Sequence, residues 1–526
     1  MKKLKIVCVI GLLVTVSGCK KFLDINTNPT NPQVIKAEIV LPPIIYQMAN
    51  GVSQDNRILM KISQAMFGTS GDFASQVWER HGYPGGVSDV GGVTWRMVYV
   101  DHGLNLEEMI ADAVNREIYD YAGIGYAIKA WGYQWLTDMH GPIILDHAYT
   151  PGMLAFPYQD QPEVYARVRE WVDESLRYFN MQSRTDMSGV LAGPSGDFLY
   201  RGNIGRWRRF LYGLLAMQYS RLVNKPEFSA AYADSVIKYV DLSFTSSEDD
   251  AMVRFNGNES SDSNPYGPQA GYLNSTYYGR VSNQIVRYLT GGMRGTPVVD
   301  TTASDDPRLT RMLSPRLSDS VYVGGLPFTA NSTTIPHAMG NTLEGKYIFQ
   351  DAAGFPIMTY AELQFLKAEA LYHKGDLEKA YEAYLQGIRG HMDFINRYGL
   401  GSGSNASAAI SEAEIQHYLN SEEVAQNAGE LTLADIVGQK YVALWGWGGL
   451  EQWTDMRKYH YDPAIFRNYN YLTAGQLYAN NNGRYAYRIR PRYNSEYVWN
   501  VPELEKWGGL ELDYMTHELW FSKSDE

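Results

Sequence analysis

Residues 359–384 run TYAELQFLKAEALYHKGDLEKAYEAY. Apolar residues follow a helical period on both sides of Gly375-Asp376, which predicts helices over 359–374 and 377–389. The small residues Gly375 and Ala380 let two helices approach closely, and Tyr384 fills a groove of its neighbour.

The set Tyr372, Gly375, Asp376, Ala380 and Tyr384 resembles a tetratricopeptide unit. Ala216–Val223 followed by Glu227–Tyr239 is a weaker copy. Such a unit cannot bury its faces alone, so stacked neighbours are required. The expectation is a mainly α protein: about four helical pairs forming a curved scaffold, with irregular segments and short strands packed on one side.

Working outward, helical patterns cover Ile44–Met66, Trp95–Asn115, Tyr119–Met139, Glu163–Asn180, Ile204–Val223, Glu227–Asp241 and Leu433–Leu444. Pro42-Pro43 is expected to block an earlier start. Between them lie a Gly-rich loop, 68–92, and a stretch from 243 to 355 where the helical period fades and short β-like runs appear. A loop that long in a compact protein is usually functional. The tail from Tyr461 is irregular and rich in Asn and Tyr. Tetratricopeptide-like helices therefore fall at about 95–241 and 357–457, within one large domain, 44–526.

The N-terminus carries an export signature. Basic Met1–Lys5 precedes an apolar run, Ile6–Val16, of about eleven residues. A spanning helix needs roughly 20, so this is a signal rather than a membrane span. Val16-Ser17-Gly18-Cys19 resembles a bacterial lipobox. An ordinary signal with an incidental Cys is the competing reading, but apolar run, small pair and Cys stand in register. On the lipobox reading 1–18 is removed, Cys19 is lipidated and 19–43 is an extended tether. Cys8 is then lost and no disulfide can form. Loss of Lys2, Lys3 and Lys5 takes Lys and Arg from 46 to 43 against 58 acids, a net charge near −15. That argues against nucleic acid or an anionic surface as partner, Arg206, Arg208 and Arg209 around Trp207 notwithstanding.

Aromatic residues make up 13% of the chain, with 40 Tyr and 12 Trp, many in Gly-, Asn- and Ser-rich segments. Large amphipathic rings in loops suit wet, concave recognition of sugars or peptides. The candidate ligand contacts are Trp78 and Tyr83 in the first loop and Tyr266, Tyr272, Tyr277 and Tyr278 in the second. Asp72, Arg80 and Asn274 are the polar groups expected to bond hydroxyls. Trp95, Trp131, Trp135, Trp171, Trp207, Trp445 and Trp453 follow helical patterns and are assigned to the core.

Catalysis lacks a signature. His517-Glu518 has no second His at metal-ligand spacing, and Gly68-Thr69-Ser70-Gly71-Asp72 fails the nucleophile-elbow pattern at its last position. A glycosidase needs only two suitably spaced carboxylates, which sequence cannot exclude. Glu248-Asp249-Asp250 can hold Ca²⁺ in a bent loop, but an ordinary acidic loop is the reading taken. No cofactor, metal or catalytic residue is assigned.

Six segments in order resemble the SusD/RagB family of nutrient-binding outer-membrane lipoproteins. They are Cys19–Asn26 with Asn28-Pro29, Asp138-Met139-His140-Gly141-Pro142-Ile143, Asp306-Pro307-Arg308-Leu309, Pro356–Ala370, Gln439–Gly446 and Glu451–Arg457. The resemblance covers nearly the whole mature chain. It implies a lipid anchor at Cys19, a position on the outer membrane facing outward, and a lid over a SusC-like TonB-dependent transporter. It also implies an oligosaccharide or peptide ligand and no chemistry by the lid itself. Its motifs are structural: Arg308 is expected to pair a carboxylate or cap a helix, and Glu362 and Glu369 to hold a helical pair together.

Overall fold

Thr359 opens the first helix of the quoted stretch with its side chain accepting the Glu362 N–H, and Gly375, at φ +79°, closes it in the left-handed region. Asp376 then caps the second. A Cβ at Gly387 would stand 2.6 Å from the Phe365 ring, so this hairpin closes only around glycine. Ala380 and Tyr384 are buried between the helices' neighbours, where the tetratricopeptide pattern puts them.

The computed structural model describes residues 35–68, 77–83, 89–273, 279–328, 334–340, 345–403 and 406–524. The main helices are α1 (Ala37–Ile62), α2 (Gly103–Asn115), α3 (Tyr119–His140), α4 (Gln161–Phe179) and α5 (Ile204–Ser220). They continue with α6 (Ala233–Leu242), α7 (Tyr360–Lys374), α8 (Leu377–Phe394), α9 (Leu433–Leu444) and α10 (Gly449–Lys458). Successive helices pair as α3/α4, α5/α6, α7/α8 and α9/α10, and α6 and α9 pack on α7 to stack the pairs. α1 lies against α2 and α10. Gly123 on α3 sits against the Phe179 ring of α4, a close approach like that of α7 and α8. The fold is mainly α, with short strands in three two-stranded antiparallel ladders among the described residues: Met66–Phe67 with Arg280–Val281, Ile143–Ile144 with Tyr158–Gln159, and Ala251–Val253 with Phe355–Met358.

One expectation needs correction. α1 starts at Ala37 and runs through Pro42 and Pro43, so the last part of the expected 19–43 tether is helix. Proline costs a helix its N–H bond. Here that cost falls near the N-terminus and is offset by burial of Leu41, Ile44, Ile45 and Met48 and by the Ala37 N–H donating to Asp112 Oδ2 at 2.9 Å.

The motif carboxylates converge in a buried ionic cluster between the hairpins. Arg221 donates to Asp138 Oδ2 (3.2 Å) and Glu451 Oε1 (2.5 Å), Lys440 to Asp455 (2.9 Å), and Lys458 to Glu369 (2.5 Å) and Asp455 (3.2 Å). Burial works against charge on Glu369, but Lys458 and Lys440 overcome it and hold its carboxyl down to about 2. Glu362 has no ion pair among the described residues, and neither of its carboxylate oxygens finds a hydrogen bond. Burial, then the neighbouring Glu451 charge, pushes it up to about 8. Glu362 thus ties nothing ionically, unlike Glu369. It holds a proton in the folded protein that the unfolded chain gives up near pH 4.5, so stability falls as pH rises from about 4.5 to about 8, by up to ~1.4 kcal/mol per pH unit. Glu362→Gln is expected to flatten that slope by one proton's worth. Denaturant titrations at pH 5 and 8 check this: equal pH dependence in both proteins would place Glu362 in a charged, paired state.

Asp306-Pro307-Arg308 ties the 243–355 stretch to the scaffold. Buried Arg308 pairs Asp306 at 2.7 Å and reaches Gln439 Oε1 on α9 at 2.8 Å. The Asp249 carboxylate accepts from Arg209 and Thr245, each at 2.9 Å, and Asp250 accepts the Tyr360 N–H at 2.6 Å. Asp250 Oδ2 is buried with no hydrogen-bond partner among the described residues.

Candidate functional site

The first loop and the 243–355 stretch meet. Glu79 accepts the N–H of Gly68 (3.2 Å) with one oxygen and that of Phe328 (2.9 Å) with the other. The Arg80 guanidinium lies 4.4 Å from the Phe328 ring centroid. The same guanidinium donates to the Gln476 and Leu477 carbonyls at 2.7 and 3.1 Å, and the Tyr478 N–H donates back to the Arg80 carbonyl at 2.9 Å. Three distant segments, around 80, 328 and 477, are sutured here. Arg80 is the stitch, with its Nε and one Nη committed to main-chain carbonyls.

Tyr83 follows directly and enters a cleft of about 220 Å³ lined also by Tyr478, Asn480, Arg490, Tyr493 and Tyr497. A π-helical turn, Tyr493–Tyr497, brings its two terminal rings into a stack, 5.7 Å between centroids and 11° between planes. Arg490 is held by the Tyr497 hydroxyl (2.9 Å) and the Gly509 carbonyl (2.7 Å), and its guanidinium lies 5.7 Å from the Tyr83 ring centroid. Burial pushes the Tyr83 hydroxyl up to about 12, with Arg490 opposing, and Tyr497 likewise to about 12. Both phenols are therefore neutral at ordinary pH and can donate as well as accept. No carboxylate is among the cleft's described lining residues, so it offers no acid–base pair for glycoside hydrolysis.

The remaining expected contacts divide. Trp78 is buried, 1% exposed, in a cluster with Met139, Leu450, Trp453 and Ile489, and stands edge-on behind Tyr83 at 5.8 Å. Tyr266 is equally buried, its hydroxyl donating to the Ser53 carbonyl at 2.7 Å. Both rings belong to the core, contrary to the expectation, because their loops fold back against α1 and the tail. Tyr272 is half-buried and tied to α1, its hydroxyl donating to Asn50 Oδ1 at 2.9 Å. Asp72, Asn274, Tyr277, Tyr278 and Cys19 lie outside the described residues. Sequence reasoning missed Tyr478, Arg490, Tyr493 and Tyr497. Their tail carries the Asn/Tyr composition that singled out the other loops, a signal that would have found them.

A scaffold of stacked helical hairpins with irregular segments packed on it is the class this fold defines. The family model for SusD-like proteins, described as starch-binding associating with outer membrane, matches residues 29–488, and the chain belongs to that family. No curated protein matches. Among solved structures, a SusD/RagB family protein of Bacteroides thetaiotaomicron is 21% identical, covering 94% of this chain and 100% of its own, with TM-score 0.69. A SusD homolog of Bacteroides fragilis is 17% identical over 93% and 100%, with TM-score 0.67. A chitin-binding protein is 18% identical over 92% and 99%, with TM-score 0.69. No helix among the described residues is long and apolar enough to cross a membrane.

Proposed function

We propose that this protein is a surface lipoprotein, anchored by lipid on Cys19, that captures extracellular oligosaccharides and delivers them as a lid to a SusC-like TonB-dependent transporter. The observation that carries the ligand class is the tyrosine cleft. Its ring faces pack against the C–H faces of pyranoses, and neutral phenols and Asn480 bond hydroxyls. Family membership supports the outer-membrane setting, and the name of the chitin-binding relative supports a glycan over a peptide. The protein does no chemistry in this reading.

A glycan array with soluble protein beginning at Phe22 identifies the ligand, and calorimetry then measures it. Rings at such sites typically cost about 2 kcal/mol on truncation, so Tyr478→Ala with Tyr493→Ala is expected to weaken binding roughly thirtyfold or more. Unchanged affinity in that variant would remove the cleft from the binding site. Anchoring is tested separately: Cys19→Ala is expected to abolish lipid labelling and release the protein from the membrane fraction. Retention at wild-type levels would sink the lipoprotein reading.

A further inference from the structure

The 490–500 segment has two faces. Tyr493 and Tyr497 look into the tyrosine cleft, while Arg492, Ser495, Trp499 and Asn500 line a separate pocket of about 300 Å³. A cavity of about 150 Å³ holds one benzene, so this pocket has room for a ring with a side chain. Its inner wall is Trp95 and Tyr99, 5.2 Å apart, and at its mouth stand Trp499, 73% exposed, and Leu154, 84% exposed. Two apolar side chains bared beside an apolar concavity point to something that covers them. Two π-helical turns, Met97–His102 and Tyr493–Tyr497, shape the pocket from opposite sides, and such turns are frequent at functional sites.

The polar groups narrow the ligand. Glu496 accepts from the Tyr158 hydroxyl and from Asn500 Nδ2, and Asn500 exchanges two 2.9 Å bonds with the Phe156 main chain. Arg492 pairs Asp89 at 2.7 Å and Arg96 pairs Asp101 at 3.3 Å. Of this pocket's lining residues, Ser495 has a buried hydroxyl oxygen with no hydrogen-bond partner among the described residues. A pyranose would bring several hydroxyls to walls with few open partners, each unpaired one at a cost. A flat ring with one hydroxyl or carbonyl fits the aromatic walls and needs one polar partner, which Ser495 can supply.

We propose that this pocket is a second binding site, taking a planar aromatic group with one hydroxyl or carbonyl, such as a phenol or an aryl ester. The ring is either a free small molecule or a substituent carried on an oligosaccharide whose sugar lies in the tyrosine cleft across the segment.

Calorimetry of the soluble protein with methyl ferulate, and with a feruloylated oligosaccharide beside its unsubstituted parent, tests this. Saturable one-site binding of methyl ferulate is expected, weakened at least tenfold by Trp499→Ala and at least threefold by Ser495→Ala. The Tyr478→Ala/Tyr493→Ala variant should leave it within twofold, so the outcome is independent of the glycan reading. A feruloylated oligosaccharide binding at least tenfold tighter than its parent marks a carried ring; methyl ferulate binding without that gain marks a free one. Absence of saturable binding of methyl ferulate and of the feruloyl group, or wild-type affinity in Trp499→Ala, overturns the proposal. So does a Trp499→Ala variant that binds methyl ferulate normally but no longer co-purifies with a barrel protein, which would make this face a docking surface.

Discussion

Arg221→Met is expected to destabilise the protein by about 3–5 kcal/mol, read as a shift in the denaturant midpoint. Arg221 is fully buried and is the shared partner of Asp138 and Glu451, and Asp138 also accepts from the Tyr165 hydroxyl. Methionine nearly matches the volume but leaves two buried carboxylates without their cation. Burial already pushes the Asp138 carboxyl up, with Arg221 the largest opposing influence, so losing Arg221 should raise it further. The diagnostic is recovery: Arg221→Met combined with Asp138→Asn and Glu451→Gln should regain much of the loss, because unpaired charge rather than lost packing is its source. A single variant within 1 kcal/mol of wild type would mean the cluster is not closed.

That cluster shows which part of the sequence was legible and how. Asp138, Glu369, Glu451 and Asp455 all stood within ordered motifs, yet nothing local said that they meet. Arg221, the residue joining two of those motifs, carried no signal, since its partners lie 83 and 230 positions away. The helices themselves were legible because an amphipathic period is a local property, and Leu433–Leu444 was bounded as observed. Pro42-Pro43 misled because a local rule about lost N–H bonds was outweighed by tertiary burial. Of the rings singled out by composition, Tyr83 lines the cleft. Trp78 and Tyr266 met the same criterion and are core. An aperiodic loop does not reveal whether its rings face water or fold back onto a distant helix. The Asn/Tyr-rich tail supplies most of the cleft, and it gains that role through Arg80, whose bonds to the Gln476 and Leu477 carbonyls no local pattern discloses.

Trp78→Ala decides between those alternatives for the first loop. The ring is buried against Met139 of α3, Leu450 and Trp453 of α10 and Ile489 of the tail, so it joins three elements far apart in sequence. Removing a buried indole leaves a cavity too enclosed to collapse, and the expected loss is about 3–5 kcal/mol. Its Nε1 makes no hydrogen bond among the described residues, so no polar partner is orphaned and the whole loss is packing. Trp78→Phe should therefore recover a substantial part of it. The indole is also the edge-on support of Tyr83. Glycan affinity in Trp78→Ala should then fall by less than in Tyr478→Ala/Tyr493→Ala, and by an amount that Trp78→Phe restores together with stability. Denaturant unfolding and calorimetry on the same three proteins separate the cases. A large loss of affinity with stability intact would put the indole on the ligand side of the cleft and return it to the role first expected from its loop.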